Sequence, residues 1–285
     1  MQKLQTKLLK KIAVLTLIVL FLPIYCGKTQ NANASERMPF SYLSVDTLVL
    51  RSSFYTSYSS STEERKSNIK LASKSLNGFF LDRGNEFSFN KVVGARTIAR
   101  GYKQAKIIVQ GEFVEGVGGG VCQVSTTLYN AVILAGLKVT EYHPHSLPVR
   151  YVMSSFDAMV NSGSADLRFV NNTLSPIYIK TYADDDMVKV EIYGSAMREK
   201  YVRKSRVLEI IPAPEEEIIV DEKGEYPFLR KGERKVLSYS KEGLVSEGVL
   251  VKVIDGKIIS SNRIRKDRYN AQKGKIIEGV FEYEP

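Results

Sequence analysis

One cysteine and the only two histidines of this 285-residue chain, Cys122, His143 and His145, are separated by a stretch just long enough for one helix and a return strand. A thiolate is a nucleophile, and its formation is favoured at a helix N-terminus and beside an imidazole. Gly116, Gly118, Gly119 and Gly120 precede Cys122, while Val124, Leu128, Ala131 and Ala135 follow at i, i+4, i+7 and i+11. That pattern predicts a glycine-rich turn opening into a helix with one buried face and with Cys122 at its start. The turn leaves backbone amides able to approach a substrate carbonyl, as an oxyanion hole requires.

The spacing therefore fits a Cys–His pair for acyl transfer, with His145 preferred to His143 as the base. On an alternating strand both imidazoles would face one side, and His145 lies nearer the Ser146-Leu147-Pro148 turn where a groove can open. Asp157 or Asp166 is expected to hold the imidazole tautomer, with Gly119, Gly120, Gln123, Ser125, Thr126 and Tyr129 on the substrate side. The same residues also fit a plainer account, in which Cys122 is a buried small side chain and the histidines are hydrogen-bonded at a strand end. Cys, His and Asp are zinc ligands too. Nothing else in the sequence points to a metal, so neither metal nor other cofactor is expected.

Several elements must position these groups. Ser61 and Glu64 resemble a capping box, and Ile69, Ala72, Leu76 and Phe79 recur at helical spacing, so residues 62–80 read as a helix. Lys138 to Tyr142 reads as a strand. Ala165 to Val170, Pro176 to Tyr182 and Met187 to Tyr193 change to period two and read as antiparallel strands joined by turns. Proline and consecutive glutamates make residues 196–217 a linker. Residues 218–281, punctuated by glycines and by the hairpin signal Asp255-Gly256, read as a small all-β module. The fold class is α+β: a mixed helix and antiparallel-sheet domain over 62–195, then the β module, whose Tyr226, Phe228, Tyr239 and Tyr269 could stack on sugars.

Lys3, Lys7, Lys10 and Lys11 precede a nearly continuous apolar run, Ile12 to Tyr25, and Ala32-Asn33-Ala34 forms a small-residue cleavage site. Residues 1–34 thus read as a signal peptide and 35–61 as an extension. Losing five lysines and no acid lowers the formal charge from +10 to +5, which disfavours a nucleic-acid partner and suits an anionic wall polymer. A membrane enters only if the signal segment is retained. Cleavage also removes Cys26 and leaves Cys122 as the sole thiol; a start at Cys26 would instead mean lipidation.

Taken together, Asn77-Gly78, Phe87-Ser88-Phe89-Asn90, Arg100-Gly101-Tyr102, Gly118 to Asn130, His143-Pro144-His145-Ser146, Asp157-Ala158 and Asp166-Leu167-Arg168-Phe169 form an ordered motif set. The chain resembles the VanW-like family over roughly these residues, and its C-terminal part resembles, more loosely, a G-five domain. The resemblance implies a cell-envelope protein of the type associated with vancomycin resistance in Gram-positive bacteria, and it supplies no catalytic residues. Two functions follow as expectations: a cysteine-dependent hydrolase or transpeptidase acting on peptidoglycan peptides, or a non-catalytic protein that binds wall glycan through the β module.

Overall fold

The computed structural model describes residues 48–282 apart from residue 110, so the signal segment and residues 35–47 of the extension lie outside the described residues. In chain order the elements are β1 (Val49–Ser57), α1 (Glu63–Leu76), β2 (Phe79–Leu81), β3 (Glu86–Ser88), α2 (Phe89–Val93), a 3-10 turn (Ile98–Arg100), β4 (Gln104–Val109), β5 (Glu112–Val117), α3 (Val121–Leu134), β6 (Lys138–Glu141), β7 (Arg168–Val170), β8 (Ile177–Ala183) and β9 (Met187–Gly194). There follow β10 (Glu199–Ile211), β11 (Glu217–Val220), β12 (Arg234–Ser238), β13 (Gly243–Ile254), β14 (Lys257–Tyr269) and β15 (Lys275–Glu278). The class is α+β, with most sheet pairings antiparallel.

Thr62, rather than Ser61, caps α1: its Oγ1 accepts from the Arg65 N–H at 3.4 Å, and Glu63 and Glu64 suit the positive helix end. The helix stops at Leu76, short of the expected residue 80. Gly78 takes a left-handed φ of 86°, and Phe79 begins a strand paired with β8. The first sheet runs β1-β9-β8-β2. Its strand β1 lies inside the segment read as an extension and pairs with β9 over its whole length. The β8–β9 hairpin turns through Asp184 to Asp186 as the sequence predicts. By contrast β7 does not pair with β8; it joins β3 and β6 in a separate sheet.

Helix α3 is buried on every side rather than on one face, with 12 of its residues inside. β1 and β9 cover one side. On another, Arg203 of β10 donates to the Asn130 side chain, and its guanidinium lies 4.2 Å from the Phe54 ring centroid and 5.1 Å from that of Phe156. Such a helix can carry polar residues only if each finds a partner.

The stretch read as a linker is mostly strand. β10 pairs with β13 along nearly its whole length, and β13 pairs with β14. Asp255 and Gly256 close that hairpin with φ of 48° and 77°, the two positive values of a type I′ turn. Beyond it, β15 lies between β11, to which it is parallel, and β12.

Candidate active site

Cys122 occupies the first turn of α3. Gly120 is the N-cap residue with φ of 104°, and a Cβ there would sit 2.9 Å from Ile69 Cγ1 and 3.0 Å from Arg65 Cγ. A Cβ at Gly119 would sit 2.7 Å from the Lys106 carbonyl oxygen. The close approach of α1 and β4 by itself requires glycine at 119 and 120. The half-buried thiol donates to the Val160 carbonyl at 3.3 Å and accepts from the Val160 N–H at 3.5 Å.

His145 and Asp157 come to the same place. Asp157 Oδ2 lies 2.7 Å from His145 Nδ1 and accepts from the His145 backbone N–H, also at 2.7 Å. That contact commits Nδ1 to the carboxylate, and the imidazole also interacts with the Cys122 thiol. Burial pushes the thiol pKa up, but the hydrogen bond and charge of His145, the Val160 contact and the Arg96 charge outweigh it and bring it below its ordinary value. Burial lowers the imidazole pKa, yet Asp157 and the thiolate raise it to about 9. Burial likewise works against the Asp157 charge, and His145, Arg265 and Tyr269 more than compensate, so its pKa falls. All three shifts run in the direction that favours a charged thiolate–imidazolium pair backed by a carboxylate.

Two residues of β14 complete this array. Tyr269 donates its hydroxyl to Asp157 Oδ1 at 2.5 Å, and Arg265 donates to the Asp157 carbonyl at 2.6 Å while its Nε binds Asp267 Oδ2 at 2.6 Å. Residues 143–166 contain no regular element, and the polar side chains of α3 hold them in register. Ser125 Oγ donates to the Ala158 carbonyl, the Ala158 N–H donates to Thr126 Oγ1 at 2.9 Å, and Asn130 donates to the Phe156 carbonyl at 2.8 Å.

Accordingly several residues expected on the substrate side are placed inside. Gln123 donates to Thr56 Oγ1 and to the Ser57 carbonyl; Ser125 and Thr126 are fully buried; Tyr129 packs under Arg265 with 5.4 Å from ring centroid to guanidinium. They position the triad. His143 is turned away: its Nε2 meets Glu141 Oε1 at 2.9 Å, because no strand forms at 143–145 to put both imidazoles on one side. Asp166 accepts from Ser88 Oγ and from the N–H groups of Asn90 and Leu167, which ties it to the start of α2 instead.

Sequence reasoning missed Tyr269 and Arg265 as partners of Asp157. Their one signal is spacing: Arg265, Asp267 and Tyr269 fall at i, i+2 and i+4, one face of a strand. Tyr151 was missed too. Burial and the charges of Cys122 and Asp157 raise its pKa far above the usual phenol value, so its hydroxyl keeps its proton within electrostatic range of the thiol. A cleft of 460 Å³ bounded by Asn90, Glu141, Ser162 to Asp166 and Arg168 begins two residues beyond Val160. Among the described residues no group of three or more His, Cys, Asp or Glu side chains is arranged to hold a metal ion. Nor is any described helix long and apolar enough to cross a membrane.

Comparison with known proteins places this array in context. Residues 64–193 match the family model described as VanW like protein. The chain is 42% identical over 151 residues to "Uncharacterized protein YoaR" of Bacillus subtilis (strain 168), covering 53% of this chain and 50% of that protein. It is 27% identical over 137 residues to "Vancomycin B-type resistance protein VanW" of Enterococcus faecalis (strain ATCC 700802 / V583), covering 46% and 50% respectively. The chain thus spans about half the length of the curated relatives it matches. Among solved structures, "Crystal structure of HP0197-G5" is 23% identical over 28% of this chain and 99% of that one, with a TM-score of 0.16. "IgA1 Protease G5 domain structure" is 18% identical over 31% and 100%, with a TM-score of 0.19. Scores that low do not define the fold of the C-terminal strands. Cys122, His145 and Asp157 all lie within residues 64–193, the part of the chain that is similar to the VanW-like family.

Proposed function

We propose that this chain is an exported cell-envelope protein in which Cys122, His145 and Asp157 carry out acyl transfer on the amide bonds of peptidoglycan peptides. The observation that supports it is the 2.7 Å Asp157–His145 contact behind a half-buried thiol at the N-terminus of α3. The Cys122 thiolate attacks the amide carbonyl carbon, forming a C–S bond and an oxyanion. His145 Nε2 gives its proton to the departing amine, the C–N bond breaks, and a thioester remains. Water or a second peptide amine then attacks the thioester, His145 takes up the incoming proton, and the thiolate leaves. Water gives hydrolysis; an amine gives transpeptidation. Tyr151 and nearby backbone N–H groups are the candidates for stabilising the oxyanion.

Domain organisation and location belong to the same proposal: a signal peptide over 1–34, and a C-terminal β module of G-five type that contacts wall glycan. Phe228 and Tyr239 are exposed there, with Tyr226 edge-on to Phe228 at 5.9 Å and Lys235 over both rings. Tyr269, with 1% exposure, is withdrawn from the sugar-stacking set.

Incubating the full mature chain with muropeptides and following thioester formation by intact-mass spectrometry tests the chemistry. An acyl adduct on wild type, absent in Cys122→Ala and strongly reduced in His145→Ala, is expected. A folded protein that never acquires one, and whose thiol resists iodoacetamide, leaves the non-catalytic wall-binding role.

A further inference from the structure

Two arginines pack on the turn that presents the thiol, and acyl transfer as written above uses neither. Arg65 comes from α1 and Arg96 from the loop before the 3-10 turn. Both stems lie against the turn that presents Cys122. A Cβ at Gly120 would be 3.0 Å from Arg65 Cγ, and one at Gly118 would be 3.1 Å from Arg96 Cβ. Their anchors are neutral. Arg65 donates to Ser61 Oγ at 2.9 Å and to Gln123 Oε1 at 2.7 Å; Arg96 donates to Asn90 Oδ1 at 2.6 Å and lies 5.7 Å from the Phe89 ring centroid. Neither forms an ion pair with a carboxylate among the described residues, and most of the five N–H donors of each guanidinium remain uncommitted.

Half-burying a cation without a counter-charge is costly, and burial lowers the pKa of both arginines. The Cys122 thiolate is one counter-charge within range of both. His145 and Arg265 balance Asp157 and Asp267, and Arg96 also feels Asp166 and Arg100, which oppose each other. With those pairs cancelled and the thiolate set against one arginine, a single positive charge is left over. A second sign of an incomplete site lies beside Arg96. Tyr102 is 2% exposed and interacts with Arg96, yet its hydroxyl has no hydrogen-bond partner among the described residues.

We propose that Arg65 and Arg96 form a receptor for one carboxylate of the substrate, holding it beside the amide that Cys122 attacks. The inference rests on Cys122 being the nucleophile and names the substrate class: peptides with a carboxylate next to the scissile bond, either a C-terminal one or that of an acidic residue. Planar donor edges match a carboxylate, and a carboxylate is the anion that an amide-bearing peptide carries. Peptides whose carboxylate is amidated fall outside the class.

Two small alkylating agents of similar size separate the possibilities on the full chain. Iodoacetamide reports thiolate reactivity, and iodoacetate adds the carboxylate. Iodoacetate is expected to label Cys122 about tenfold faster than iodoacetamide at neutral pH, with saturation, and sodium acetate is expected to protect competitively. Arg96→Gln and Arg65→Gln should each slow iodoacetate far more than iodoacetamide; the wild-type ratio and the acetate protection need no variant to fold. Rapid labelling by iodoacetamide with no preference for iodoacetate overturns the receptor and leaves the nucleophile in place. Protection by inorganic phosphate but not by acetate also overturns it. A thiol inert to both reagents removes the nucleophile and the receptor together.

Discussion

The hydroxyl of Tyr269 donates to Oδ1 of Asp157, 112 positions earlier in the chain, while Oδ2 of the same carboxylate holds His145. The Tyr269 oxygen in turn accepts the Ser155 N–H at 2.7 Å, so one phenol fixes both the carboxylate and the backbone two residues before it. Tyr269→Phe leaves the Ser155 N–H without its acceptor and Asp157 Oδ1 with only the 3.5 Å contact to Arg265. The expected outcome is a loss of about 1–3 kcal/mol in urea unfolding, together with slower acyl transfer at unchanged substrate affinity.

Because Tyr269 and Arg265 of β14 bind Asp157, loss of the C-terminal strands is expected to disturb the site itself. Deleting residues 212–285 removes β13 and β14, uncovers β10 and strips Asp157 of Tyr269 and Arg265. The truncated chain is expected to lose near-ultraviolet circular dichroism and rapid labelling of Cys122. A folded, reactive fragment would restore the separable module read from sequence.

Limited proteolysis checks the same region from another side. Cleavage is expected within residues 212–216, which are exposed and lie between β10 and β11, and not within 199–211, where the backbone is paired. Cuts scattered through 199–211 would contradict the pairing with β13.

The pH dependence separates reactivity from stability. His145 has a raised pKa, so its contribution to stability is complete below the unfolded value of 6.5 and fades as pH rises to about 9. Cys122 has a lowered pKa, so its contribution is complete above the unfolded value of 9.0 and fades as pH falls toward the folded value. Above 6.5 and below 9, once the folded thiol has ionised, the folded pair and the unfolded chain each hold one proton, on nitrogen in one and on sulfur in the other, and the two effects cancel. Unfolding free energy is therefore expected to be flat with pH, as far as this pair is concerned, from the point where the folded thiol ionises up to about pH 9. Labelling by iodoacetamide should already be rapid there, and acyl transfer should decline above pH 9 as the acid loses its proton. Asp157, with a lowered pKa, adds a loss of stability on acidification below its unfolded value of 3.8. A labelling profile with the midpoint of an ordinary thiol would refute the ion pair.

Asp166→Asn provides the contrast. It weakens the contacts to Ser88 Oγ and the Asn90 N–H at the start of α2 and should cost about 1–3 kcal/mol. The rate of Cys122 labelling should not change, whereas Asp157→Asn should slow it sharply.

Sequence pattern located the helix start at Cys122, the β8–β9 hairpin and the Asp255-Gly256 turn because each depends on neighbours within a few residues. It also separated His145 from His143, although by a strand argument that the irregular backbone at 143–145 does not support. What it could not supply was long-range partnership. Asp157 and Asp166 are equivalent as residue types, and only the packing of residues 155–160 on α3 distinguishes them. Ser125, Thr126 and Gln123 look like substrate contacts by proximity to Cys122; burial of α3 on every side turns them inward. Residues 199–211 carry charge and lie next to prolines, which read as exposed linker, yet their backbone pairs with β13, a strand of nearly the same length.

The place of β14 and β15 near the end of the chain sets an order of events during synthesis. Cys122, His145 and Asp157 leave the ribosome well before Tyr269, and β15, the middle strand of its sheet, comes last of all the strands. At roughly 5–20 residues per second, the 112 positions between Asp157 and Tyr269 amount to a delay on the order of ten seconds. A nascent chain therefore holds its nucleophile, base and carboxylate without the clamp that orients them, and an interrupted chain never acquires it. Completion of the polypeptide is what supplies the Tyr269 and Arg265 contacts to Asp157.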